Sequence, residues 1–117
     1  MQKTLLTLLL LISPYGIAAD CETHRQVFFE NKDTKVWQST ICPHEKLAFH
    51  VHQFARILIP AESGQIKVVY ESGEEKMITL VKNHPIYLDK AQGKDRHQDI
   101  NPGNTPLHVT LIELRKN

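Results

Sequence analysis

Apolar and polar residues alternate along most of this chain with a period of two, the repeat of a half-buried strand. His24–Glu30 (HRQVFFE) is a short apolar segment expected at a sheet edge, and Asn31-Lys32-Asp33-Thr34 has turn composition. Lys35–Ile41 alternates loosely, Val36 and Gln38 against Trp37 and Ser39, with Trp37 assigned to the core. Cys42-Pro43-His44-Glu45 breaks the pattern. Residues 46–52 resume it, with Ala48, His50 and His52 on one face. Leu47, Phe49 and Val51 fall on the other, which is expected to enter apolar packing. Residues 54–60 predict another strand. Residues 65–71 and 75–81 flank Ser72-Gly73-Glu74, a hairpin signal. Residues 85–88 are a short apolar piece, and residues 89–95 (DKAQGKD) read as a loop. Residues 96–101 lead into the turn Pro102-Gly103-Asn104-Thr105, and Leu107–Leu114 is the last strand. No stretch keeps a 3.6-residue apolar period over three turns. The pattern therefore predicts an all-β barrel or sandwich.

The N-terminus departs from this alternation. One positive charge, Lys3, precedes a run from Leu5 to Ile12 that is apolar except for Thr7. Ser13-Pro14-Tyr15-Gly16 breaks the run, and Gly16-Ile17-Ala18-Ala19 offers small residues for cleavage. That is the build of a secretory signal peptide, residues 1–19. A membrane span needs ~20 apolar residues and this core is shorter. The expectation is a single domain over residues 20–117, periplasmic or secreted, with no membrane attachment after cleavage.

Charge and cysteines add to the picture. The sequence has 14 Lys and Arg against 13 Asp and Glu, so loss of Lys3 leaves the mature domain balanced. No basic run is present, and nucleic acid is not an expected partner. A homodimer through the edge strand His24–Glu30 stays open. In an oxidising compartment Cys21 and Cys42 are expected to pair, and a loop of ~20 residues closed this way contributes about 3 kcal/mol. The alternative is Cys42 as a thiolate ligand beside His44.

Candidate chemistry centres on Phe49-His50-Val51-His52. Alternate side chains of a strand share a face at a rise of ~3.3 Å per residue, so two imidazoles ~6.6 Å apart can converge on one ion. His97 lies where a sheet could return it to the pair. The chain has 7 histidines, enough for an H-x-H pair to arise by chance, so the pair alone is a weak signal. Arg56 shares the face of His52 on a regular strand. It would repel a cation or clamp an anion in bidentate fashion. Its alternatives are a solvent-facing position or a pair with Glu71 or Glu75. His24, His44 and His84 are expected at the surface, His108 in solvent or core, and Tyr70 and Tyr87 in packing.

These residues resemble the cupin superfamily. Its first motif runs Gly, five residues, H-x-H, three or four residues, Glu, six residues, Gly. His50, His52 and Gly64 fit it, whereas His44 replaces the opening glycine and the glutamate falls on Arg56 or Ile57. The second motif ends in Pro-x-Gly, two residues, His, three residues, Asn. His97 and Asn101 match, with Gly93 one position early and Gln92 near the proline. The layout is similar to small single-domain cupins associated with β-alanine degradation. The resemblance implies a double-stranded β-helix (jelly-roll) barrel. It also implies a divalent transition metal held by His50, His52 and His97 without a carboxylate. Arg56, where the sequence departs from the motif, and Asn101 are candidate contacts for a small anionic ligand, and Asn101 is otherwise expected to stabilise the turn that follows it. Three imidazoles suit Zn, Fe, Ni or Cu and suit Mg or Ca poorly. Because imidazole binds metal when neutral, affinity is expected to fall below about pH 6. A metal-free binding module without catalysis is the alternative, since fold does not decide chemistry.

Overall fold

The computed structural model describes residues 20–116. The expected signal peptide lies outside the described residues. In chain order the elements are β1 (His24–Glu30), β2 (Lys35–Ile41), β3 (Ala55–Pro60), β4 (Gly64–Tyr70), β5 (Glu75–Leu80), β6 (Ile86–Leu88), α1 (Lys90–Lys94), β7 (His97–Ile100) and β8 (Leu107–Leu114). One antiparallel sheet has the order β1-β2-β8-β3-β6, and the other β5-β4-β7. This is the all-β architecture the alternation predicts.

The two sheets face each other over one core. Trp37, Leu58, Val109 and Leu111 come from the first sheet, and Ile66, Val68, Tyr70 and Leu80 from the second. Inward positions follow the period of two: Trp37, Ser39 and Ile41 on β2; Arg56, Leu58 and Pro60 on β3; Val109, Leu111 and Glu113 on β8. Two of these inward positions are charged, and Arg56 opposes Glu113 across β3 and β8. The β4–β5 hairpin turns at Gly73, whose φ of 93° is a conformation that side chains rarely adopt.

Cys21 and Cys42 form the expected disulfide, with Cα atoms 5.7 Å apart. Cys42 is thereby removed as a thiolate ligand. The bond fastens the N-terminal end of the described chain to the end of β2. Immediately beyond, His44 takes a φ of 63°. That left-handed conformation favours glycine, the residue the resembled motif carries at this point.

Three expectations are corrected. Residues 46–52 are not a regular strand. They run antiparallel along the free edge of β7 with two isolated bridges, Lys46 to Ile100 and His50 to His97. Four steps on one side (46 to 50) face three on the other (100 to 97), so one extra residue is accommodated as a bulge. The bulge breaks the face assignment: Leu47 joins His50 and His52 in lining the interior, while Phe49 and Val51 are 36% and 54% exposed rather than packed. Residues 89–95 are not a plain loop but carry the one-turn helix α1, whose N-cap Asp89 accepts a hydrogen bond from the Gln92 amide at 2.9 Å. Tyr87 is not packed: it is 64% exposed.

Candidate metal centre

The bulged segment and β7 bring the three predicted histidines together. One ring nitrogen from each of His50, His52 and His97 lies within 4.8 Å of the other two. His50 and His97 are held by reciprocal main-chain hydrogen bonds at 2.9 and 3.0 Å. His52 is fixed by its amide, which donates to the Gly93 carbonyl at 2.7 Å, and its ring stacks on Trp37 with centroids 6.0 Å apart. His97 is 1% exposed, and His50 and His52 are partly buried.

The tautomers follow from local hydrogen bonds. Nδ1 of His50 lies 2.7 Å from the Ala48 carbonyl, and Nδ1 of His97 lies 2.7 Å from the Asp95 carbonyl. A carbonyl only accepts, so each Nδ1 carries the proton and each Nε2 presents a lone pair. His50 Nε2 is buried without a hydrogen-bond partner. This is the usual arrangement of a metal-ligating histidine, whose second ring nitrogen donates to a carbonyl or carboxylate. Burial pushes His52 down to about 2, helped by the Arg56 guanidinium and the neighbouring imidazoles. Burial likewise lowers His97. Both rings are therefore neutral at ordinary pH, as metal binding requires. Nitrogens ~2.05 Å from a tetrahedral Zn stand ~3.4 Å apart, so each would move inward by about 0.8 Å or less to share one ion. The residues present fit a transition metal.

Arg56 lies on the face of His52, as alternation predicts, and takes neither of the two alternative placements. It is 2% exposed and pairs with neither Glu71 nor Glu75. Its Nη2 donates to the Gln92 side-chain carbonyl, its Nη1 donates to the Phe54 main-chain carbonyl at 3.2 Å, and its Nε has no partner. No carboxylate among the described residues forms an ion pair with it. Gly93 of α1 lies against it: a Cβ there would be 2.6 Å from Arg56 Nη1 and 2.7 Å from His52 Cβ. Gln92 and Gly93 thus seat the histidine and the arginine together.

Asn101 does not reach this site. Its Nδ2 donates to the Ile41 and Thr105 carbonyls at 2.9 and 2.7 Å, and its Oδ1 accepts from the Gly103 amide at 2.9 Å. It is 1% exposed and braces the turn before β8. The carboxylate missed in the sequence is Asp99. It shares the inward face of β7 with His97 and lines the cavity, its Oδ2 3.3 Å from His50 Nε2. The i, i+2 spacing from His97 was the available signal. Arg25, whose guanidinium lies over the Trp37 ring at 5.0 Å, also lines the cavity. His108 faces outward and pairs with Glu62 at 2.5 Å.

No family model matches the sequence, and no curated protein matches it. Solved structures do match the fold. A cupin domain from Bordetella pertussis superposes with a TM-score of 0.71 at 19% identity, over 82% of this chain and 96% of that one. The cupin domain of an XRE-family transcriptional regulator from Enterobacter cloacae gives 0.58 at 15% identity, over 81% of this chain and 98% of that one. The polyketide cyclase RemF from Streptomyces resistomycificus gives 0.56 at 10% identity, over 81% of this chain and 66% of that one. A regulator's domain and a cyclase share the architecture, so these likenesses carry the fold and no one activity. Nothing in them extends to β-alanine degradation.

Proposed function

We propose that this cupin-fold protein is exported and binds a divalent transition metal, Zn, Fe, Ni or Cu, through His50, His52 and His97, with a small anionic ligand drawn in beside Arg56. The observation that carries the reading is the pair of carbonyl-locked imidazoles, His50 and His97, whose Nε2 atoms are left for another partner, in a cluster where one ring nitrogen of each of the three histidines lies within 4.8 Å of the others. A metal held there supplies a Lewis acid with open positions for ligand or water. The chain's own groups restrict what can reach it. The free cavity is about 30 Å³, room for one or two water-sized groups in all. Trp37, Leu58 and Leu111 line its apolar wall, and Arg56 provides a buried positive charge without an ion-pair partner. Both features favour a small anion.

The Cys21–Cys42 disulfide supports export. No helix among the described residues is long and apolar enough to cross a membrane. Exposed Val27, Phe28 and Phe29 on the edge strand β1 support self-association there, which sedimentation of the purified protein tests.

Arg56 also favours a second reading, anion capture without metal. Elemental analysis of protein from a periplasmic preparation separates the two. The first expects about one equivalent of transition metal in the wild type, lost in His50→Ala/His52→Ala. The second expects no metal and an anion-dependent rise in melting temperature that survives His97→Ala.

A further inference from the structure

His50 and Asp99 meet in a way that the three-histidine reading leaves unexplained. In the neutral ring, the form that binds metal, the proton of His50 is committed to the Ala48 carbonyl, so Nε2 faces Asp99 with a lone pair. Asp99 Oδ2 lies 3.3 Å away, too poorly aligned for a hydrogen bond, and Nε2 is left unpartnered. Two acceptors at this distance repel unless a positive charge sits between them or beside both.

Asp99 is also where the local charge needs it. It is the acidic side chain that lines the cavity among the described residues, and its side chain is 20% exposed. Burial disfavours the charged forms of Arg25 and Arg56, and Asp99 is foremost among the charges that offset this for both. A dication added to two guanidiniums in a low-dielectric cavity calls for a carboxylate close by.

We infer that Asp99 is a metal ligand, supplying from β7 a carboxylate oxygen at the centre formed by His50, His52 and His97. This deepens the metal reading and rests on it. The site is then three imidazoles and one carboxylate, with the carboxylate two residues beyond His97 rather than following His52. Arg56 is consequently free to serve the incoming ligand. His97 and Asp99 approach from one strand, and His50 and His52 from the bulged segment beside it.

The test is metal affinity, read by chelator competition with Zn²⁺ and Co²⁺ on the purified protein. Wild type, Asp99→Asn, Asp99→Ser and His50→Ala/His52→Ala are compared, with melting curves of the metal-free proteins as the check on folding. Loss of the carboxylate is expected to weaken affinity by at least about tenfold. A separate measurement needs no variant: with ¹³C-labelled aspartate carboxyls, Zn²⁺ is expected to shift one carboxyl resonance of the wild type. Affinity within twofold of wild type in both Asp99 variants, or no moving aspartate resonance in the metal-loaded wild type, overturns the assignment while leaving the three-histidine centre standing. A wild type that binds neither ion overturns both.

Discussion

Gly93→Ala turns the description of the site into a signed quantity. Gly93 sits inside α1 with no positive φ, so helix propensity alone favours alanine by roughly 1 kcal/mol. The added Cβ, however, would stand 2.6 Å from Arg56 Nη1 and 2.7 Å from His52 Cβ. Neither neighbour yields easily. Arg56 is 2% exposed and tied to Gln92 and Phe54, and the His52 main chain is bonded to the Gly93 carbonyl. Overpacking of this kind costs typically 1–3 kcal/mol, which matches or exceeds the propensity gain. The expected net loss is up to about 2 kcal/mol, a fall of up to about 16 °C in melting temperature for a domain of this size. Metal affinity is expected to drop as well, because relief of the clash displaces His52. Gly73→Ala is the control. It is strained by its φ of 93° but meets nothing within 4 Å, so it lowers stability and leaves metal affinity alone. Thermal melts and chelator competition on both variants decide. A Gly93→Ala protein as stable as wild type, with unchanged affinity, refutes the seating of His52 and Arg56 against α1.

Three further outcomes are expected. The folded pKa of His52 lies near 2 and that of His97 is also lowered, against an unfolded value near 6.5. The unfolded state therefore takes up protons first, and the metal-free protein loses stability as pH falls below about 6.5, by up to ~1.4 kcal/mol per pH unit for each imidazole kept neutral. Urea melts from pH 7.5 to 4.5 check this, and a flat profile contradicts it. Reduction of the Cys21–Cys42 bond, which spans 21 residues, is expected to remove about 3 kcal/mol by the same assay. Asn101→Ala deletes a side chain serving three main-chain groups and is expected to destabilise by roughly 2–4 kcal/mol, with the metal affinity of the folded fraction unchanged.

The strands and the three histidines were legible because both rest on spacing. Alternation marked β1 to β5 and β8 to within a residue or two. The H-x-H pair and His97 were visible as residue types at separations the resembled family uses. What stayed hidden depends on geometry that a period of two cannot carry. One inserted residue between Lys46 and His50 turns Leu47 to the side of the histidines, yet the string of apolar letters is the same with or without it, and Phe49 and Val51, opposite the histidines as alternation has them, meet water because nothing covers that face. Arg56 was placed on the face of His52 by alternation, but its choice between that face and solvent stayed open because its partner Gln92 lies on α1, a turn of helix too short to show a 3.6-residue period. Asn101 matched a motif position, but its hydrogen bonds to Ile41 and Thr105 come from the way the chain folds back at Pro102-Gly103. Asp99 stands two residues beyond His97 rather than after His52, where the resembled family has its glutamate, so the motif does not mark it.

The two carbonyl contacts that orient His50 and His97 carry a consequence for how the centre can vary. Each ring is steered by the main chain two residues upstream, Ala48 in one case and Asp95 in the other. No neighbouring side chain supplies the acceptor. Replacing those two upstream residues therefore leaves ring orientation intact so long as the backbone path holds, and drift in the surroundings does not erode it. The vulnerability moves to anything that bends that path, such as a proline at position 48 or removal of the extra residue in the bulge.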